Sequence, residues 1–317
     1  MTSDVGRERP EPIRAVPLRH RGRWLAVAVI AVLVAMFVHM LATNDRFQWS
    51  FMVHNMFRAP ILRGVQTTLI LTVVSMAIGI ALGIVIAVMR LSDNPMLSWS
   101  AWLYTWFFRA VPRLVLLTVF GNLGFLYPRL RLGLPFSEQI SSLLGADMHG
   151  TIWSVNANDF FAGFRAALLG LALSEAAYMA EIVRAGILAV DHGQTEAAQS
   201  LGMTRGLAMR RVVLPQAMRV IVPPTGNETI AMLKDTSLVL AVPVSNELFF
   251  QLQAVGTRTF RIFPMLIAAC LWYLALSSVL MVGQHFLERR FSRGFGTRRT
   301  AKREPPAAPT LIAGQHR

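Results

Sequence analysis

Residues 196–216 read EAAQSLGMTRGLAMRRVVLPQ, and the meaning of this stretch decides what kind of protein the chain is. Glu196 to Leu201 is a helix-favouring run, and Gly202 can take the left-handed conformation that ends such a helix. Thr204 can cap a second helix through Met209 and Arg211. Pro215 then falls near the first turn of an apolar segment, where its missing N–H costs little. A helix–turn–helix followed by arginines, in a chain of net charge +14 and pI near 11.4, suggests a DNA reader. Its surroundings argue against that.

Of the 317 residues, 54% are hydrophobic and only 15% charged, with a mean hydropathy of +0.48. Soluble domains carry about 25% charged residues. Long apolar segments with few charges are what a bilayer demands. Six such segments lie at about 24–42, 65–89, 111–126 (with an amphipathic approach over 97–108), 161–179, 215–233 and 264–286. The first has a basic start, but it exceeds a signal-peptide core in length and no A-x-A site follows, so it reads as an uncleaved helix. The opening stretch therefore sits between the fourth and fifth spans. A helix held at a membrane surface is not free to enter a DNA groove, and no nucleic-acid partner is expected.

The arginines set the expected sidedness. Residues 1–23 are rich in arginine, and Arg289, Arg290, Arg293, Arg298, Arg299, Lys302, Arg303 and Arg317 face Glu304 alone in 289–317. Basic flanks mark the cytoplasmic side, so both termini are expected there, which an even number of spans allows. Residues 90–96 and 180–214 then lie inside, and 43–64, 127–160 and 234–263 outside. The segment 293–317 reads as a disordered basic tail. Cys270 is the only cysteine, so neither an intramolecular disulfide nor a cysteine metal site can form, and the histidines show no ligand spacing. No metal is expected. A phosphate-binding G-x-x-x-x-G-K-[ST] loop needs a lysine after glycine, and neither lysine, Lys234 or Lys302, has one. The chain carries no such loop.

Glu196-Ala197-Ala198, Gly202 and Leu214-Pro215, at this spacing, resemble the EAA loop of the permease subunits of bacterial ABC importers. AYMAEIVRAGILAV (177–190), GQTEAAQSLG (193–202), LPQAMR (214–219) and KDTSL (234–238) resemble the polar amino-acid branch. RAVPRLVLL (109–117) resembles its R-x-x-P-x-L-V segment, with Arg113 where an apolar residue is more usual, and Glu288-Arg289-Arg290 also fits. The resemblance covers about residues 61–292. It implies an all-α polytopic helical membrane protein with about six transmembrane helices and the type I ABC importer transmembrane-domain fold. It also implies a division into a basic tail (1–23), an extra helix and outer loop (24–60), a permease core (61–292) with a coupling loop at about 190–212, and the tail from 293. The implied function is import of a polar amino acid across the bacterial inner membrane by alternating access, without catalysis in this chain. ATP and Mg2+ would bind a partner, and this chain would bind no cofactor. The implied partners are two ATP-binding subunits, an extracytoplasmic solute-binding protein, a second permease subunit, identical or related, and the lipid bilayer. Another amine-bearing solute such as an opine, or an ion-driven secondary transporter, are the rival readings.

In such a machine Glu196, Ala197, Ala198, Gly202, Leu214 and Pro215 form the loop that receives force. Ala197 and Ala198 are small enough for close approach, and Glu196 is read as near a helix start, where a carboxylate suits the dipole. Ionisable residues at membrane depth are the substrate-path candidates. Glu175 and Glu181 flank Tyr178, and Glu181 can pair with Arg184 at i, i+3. Asn227 and Glu228 follow Pro223-Pro224, a pair expected to kink or break the fifth span and free backbone groups. Glu228 can then meet a substrate amine and freed N–H groups its carboxylate; alternatively Asn227, Glu228 and Asp235 hold helix contacts or the dimer interface. Lys234, Asp235 and Ser237 complete the candidate path, Lys234 and Asp235 either pairing or facing water. Arg109 and Pro112 are read as shaping the approach to the third span.

Overall fold

The computed structural model describes residues 21–126, 129–133, 151–242 and 244–292. Residues 1–20 of the expected N-terminal tail (1–23), the tail from 293 onward and much of the 127–160 loop lie outside the described residues, while Arg21–Arg23 already belong to the first helix. Helices make up almost all the rest. Those of eight or more residues are α1 (Arg21–Thr43), α2 (Trp49–Met56), α3 (Ala59–Arg90), α4 (Pro95–Ala110), α5 (Arg113–Leu126), α6 (Phe164–Leu188), α7 (His192–Ser200), α8 (Leu214–Asp235), α9 (Leu248–Thr259) and α10 (Ile262–Ser292). A short antiparallel pair, β1 (Arg129–Gly133) and β2 (Thr151–Asn156), stands between α5 and α6.

The chain divides into a unit ending at Trp49 and a second from Ser50 onward. In the first, α1 exposes its apolar side chains along nearly its whole length, as a helix facing lipid does. Its end is fixed locally: Asn44 caps the turn Asp45–Phe47, and the Trp49 indole N–H donates to the Leu41 carbonyl at 2.9 Å.

In the second unit, α3 and α6 pack against each other more extensively than any other pair of helices. Ser75, Gly79, Gly83 and Ala87 recur every fourth residue and put one bare stripe of α3 on α6. The approach is close enough that a Cβ on Gly83 would lie 2.6 Å from the Met179 Cβ and 3.1 Å from backbone atoms of Ala176 and Ala180. Around this seam lies a core of Leu71, Met76, Leu117, Leu171, Met179, Ile221 and Met232. A second core joins α2, α9 and α10 through Met52, Met56, Leu248, Leu252 and Met265.

The helix ends explain the expected spans. Among the described residues four helices are long and apolar enough to cross a membrane: Gly22–Thr43, Ala59–Arg90, Phe164–Leu188 and Ile262–Phe291. α4 and α5 pass that test only together, as a pair bent by 103° at Val111-Pro112. The 14 residues of α5 reach about 21 Å at 1.5 Å per residue, short of a hydrocarbon core about 30 Å thick, and α4 turns sharply away from its axis. α8, the expected fifth span, has length enough at 22 residues but carries Arg219, Asn227, Glu228, Lys234 and Asp235. It packs on α6, α10 and α3 rather than presenting an apolar surface all round.

One expectation is corrected here. Pro223 and Pro224 do not break α8, which is helical from Leu214 to Asp235 with both prolines inside. Each proline removes an N–H from the helical ladder, at the carbonyls of Arg219 and Val220, and neighbouring side chains bond other carbonyls of the helix. The Thr225 hydroxyl reaches the Ile221 carbonyl at 2.8 Å, the Thr229 hydroxyl the Thr225 carbonyl at 2.9 Å, and Gln284 Nε2 of α10 the Pro223 carbonyl at 3.4 Å. Packing on both sides holds the helix that propensity alone would interrupt. No N–H groups are released by the prolines for a substrate carboxylate.

Candidate functional site

The loop after α6 is built by capping. Asp191 accepts from the Gly193 N–H at 2.7 Å and starts α7. α7 ends in a double closure: the Gly202 N–H donates to the Gln199 carbonyl at 2.8 Å and the Met203 N–H to the Ala198 carbonyl at 3.1 Å. That pairing needs a left-handed residue at Gly202, whose φ is +81. Thr204 then accepts from the Leu207 N–H at 3.4 Å and caps the turn Arg205–Ala208. The chain continues through a π-helical turn, Met209–Val213, directly into α8. Such a turn suits a place where Pro215 supplies no donor.

Glu196, Ala197, Gly202, Leu214 and Pro215 are exposed on this loop, while Ala198 is buried within the chain. Only Ala197 of the alanine pair is therefore open to another surface. Because α7 begins at His192, Glu196 lies in its second turn, and the carboxylate at the helix start is Asp191. Beside the loop is a cleft of about 460 Å³ lined in part by Leu188, His192, Arg205 and Met209, with Leu91 from the end of α3. The α6 end is pinned to α3 by Glu181, which accepts from Arg184 at 2.8 Å and stands 3.8 Å from Arg90.

The second candidate region is an ion cluster where α5, α6 and α8 meet. Arg113 opens α5 immediately after the elbow. Its guanidinium lies 2.6 Å from Asp235, 2.8 Å from Glu175 and 3.7 Å from Glu228. The Tyr178 ring faces the same guanidinium at 4.8 Å, and Arg109 approaches that ring at 5.7 Å. Glu175 is fully buried, and Gly79 makes the room for it: a Cβ there would lie 2.7 Å from the Glu175 Cγ. Glu175 Oε2 takes the Arg113 hydrogen bond, while its Oε1 has no partner among the described residues. The Glu228 and Asp235 side chains are partly open, at 26% and 30% exposure.

The structure thus gathers four of the seven expected path residues, Glu175, Tyr178, Glu228 and Asp235, around Arg113, which was not among them. The other three sit differently. Asn227 accepts from Gln284 Nε2 at 2.9 Å and serves the α8–α10 contact. Lys234 is exposed and does not pair with Asp235, whose partner is Arg113. The Ser237 hydroxyl donates back to the Lys234 carbonyl. Sequence reasoning registered Arg113 only as an unusual residue, and that oddity was the available signal. It missed Glu247, a buried carboxylate that caps α9 and accepts from Thr68 at 2.8 Å, Tyr273 at 2.7 Å and the Phe249 N–H at 2.7 Å. Among the described residues no group of His, Cys, Asp and Glu has a metal-binding arrangement.

Residues 79–293 match the family described as the binding-protein-dependent transport system inner membrane component. The chain belongs to that family. A permease of this family is a multi-pass inner-membrane subunit of an ABC importer, and not an enzyme. The arginine transport system permease protein ArgU of Corynebacterium glutamicum is 46% identical over 294 residues, spanning 92% of this chain and 87% of its own. The probable glutamine ABC transporter permease protein GlnM of Bacillus subtilis is 32% identical over 73% of this chain and 93% of its own. A solved amino acid ABC transporter superposes with a TM-score of 0.60 at 31% identity, over 76% of this chain and 98% of the other. This permease therefore belongs with the amino-acid importers.

Proposed function

We propose that this permease carries a cationic amino acid, arginine above all, through a path that passes the Arg113 cluster. One observation carries the proposal: three carboxylates stand within 3.7 Å of a single, partly buried guanidinium. Charges at membrane depth are costly and persist where they work. A free anion approaching this group meets three like charges, whereas a guanidinium or ammonium meets acceptors. The relative that transports arginine, at 46% identity, points to the same substrate class.

The remaining parts follow the family plan. Glu196, Ala197, Ala198, Gly202, Leu214 and Pro215 belong to the loop that docks on an ATP-binding subunit. Two such subunits bind ATP and Mg2+ on the cytoplasmic side, with both termini of the permease on that side. A second permease subunit completes the pathway, and an extracytoplasmic protein delivers the solute. Glu228 and Asp235, with Glu175 behind them, receive the cationic groups; Tyr178 supplies a ring face. Asn227, Lys234 and Ser237 frame the α8 end of the path.

The test is reconstitution of the permease with its ATP-binding and solute-binding partners in proteoliposomes. ATP hydrolysis and uptake should respond to arginine, lysine and ornithine, and not to glutamate. Glu228→Gln should raise the half-saturation for arginine at least several-fold. Stimulation by neutral or acidic amino acids alone would refute the cationic reading.

A further inference from the structure

Arg113 is chemically the same group as the side chain of the proposed substrate. It occupies the carboxylates that a substrate guanidinium would use, with two nitrogens already on Asp235 and Glu175. We propose that Arg113 is a tethered competitor: it holds the cation site in the empty permease, and an incoming cation displaces it from Asp235 and Glu228. This inference rests on the cationic reading above and assigns Arg113 its place in that site.

The geometry determines where exchange occurs. Glu175 is wholly buried, so parting it from Arg113 would leave a desolvated charge without a partner. Asp235 and Glu228 are partly open and can find water or substrate when Arg113 leaves. Arg113 therefore stays on Glu175 and pivots away from α8. The unpartnered Glu175 Oε1 offers a further acceptor during that movement. The Tyr178 face, already under Arg113 at 4.8 Å, can retain the guanidinium as it turns or take the incoming one.

Exchange has a measurable consequence. A site whose acceptors are held by an internal cation for about 90% of the time loses about tenfold in apparent affinity. Shortening Arg113 removes the competitor. We would measure equilibrium binding of labelled L-arginine to the permease, co-purified with its ATP-binding subunits in nanodiscs and without solute-binding protein. Arg113→Ala should bind L-arginine about tenfold or more tightly than the parent. Guanidinium chloride should compete, and sodium chloride at equal ionic strength should not. Arg113→Lys, which keeps a tethered cation, should stay near the parent.

Because Arg113→Ala leaves Glu175 unpaired, its thermal unfolding is followed in parallel. If the variant is unstable, millimolar guanidinium should restore its melting temperature while sodium does not. An Arg113→Ala complex that gains neither arginine affinity nor guanidinium-specific stabilisation overturns the exchange. The two readings fail separately. Arginine-stimulated transport by the parent with no gain in Arg113→Ala sinks the competitor alone; transport confined to neutral or acidic amino acids sinks the cationic reading first.

Discussion

Replacing Gly202 with alanine tests whether the turn at the end of α7 acts as a rigid lever. A Cβ at Gly202 meets nothing within 4 Å, so alanine adds no clash and its cost is confined to the backbone at φ +81. That conformation costs an L-residue about 1–2 kcal/mol, which reduces the population of the closed turn by about 5- to 30-fold. The double closure on Gln199 and Ala198 depends on that turn, so the loop would lose its fixed angle. Gly206 is the control. It also has open space around it, but it lies in the helical turn Arg205–Ala208, where alanine is favoured by up to about 1 kcal/mol. The assay is amino acid imported per ATP hydrolysed by the reconstituted importer. Gly202→Ala should lower that ratio by up to the population factor; Gly206→Ala should leave it unchanged. Gly202→Asn should recover part of the loss, because asparagine tolerates the left-handed region. Full coupling in Gly202→Ala, or equal damage in Gly206→Ala, would refute the lever.

Other substitutions probe the frame. Gly83→Ala forces a methyl to 2.6 Å from the Met179 Cβ and should cost about 1–3 kcal/mol, lowering the melting temperature in detergent; Gly283→Ala, with nothing within 4 Å, should not. Equal melting temperatures would mean the α3–α6 seam is loose. Glu247→Ala strands the Thr68 and Tyr273 hydroxyls and two backbone N–H groups, at about 1–3 kcal/mol for each buried donor left unsatisfied. It should reduce the yield of monodisperse protein far more than Tyr273→Phe, and the reverse order contradicts the hub. Thr204→Ala removes one cap worth about 1 kcal/mol, so its loss of coupling, in the import-per-ATP assay, should be smaller than that of Gly202→Ala.

Local chemistry made the loop readable in the sequence. The cap of Thr204 and the left-handed Gly202 depend on neighbours a few residues away, and both stand where the sequence put them. The same holds for the Glu181–Arg184 pair, one turn apart on α6. The ion cluster was harder, because its members come from residues 113, 175, 228 and 235 on three helices. Polarity in an apolar run flagged three of them, but nothing local shows which carboxylate meets which cation. The prolines misled for the same reason: helix propensity describes α8 alone, whereas the folded α8 is packed against α6, α10 and α3. Glu247 was hidden because its partners lie up to 179 residues away.

The continuity of α8 links the two candidate regions. The helix starts at Leu214-Pro215, where the proposed coupling loop joins it, and ends at Asp235, with Glu228 two turns earlier. Its 22 residues make a rod about 33 Å long. A break at Pro223-Pro224 would absorb a displacement of the loop halfway along. An unbroken α8 delivers it to Glu228 and Asp235 together, while Glu175 stays on α6 against the Gly79 seam of α3. Movement of the loop would therefore change the spacing between the α8 carboxylates and the Arg113–Glu175 pair. Those are the contacts that cation exchange must open, so force from an ATP-binding partner and release of Arg113 would act on the same distances.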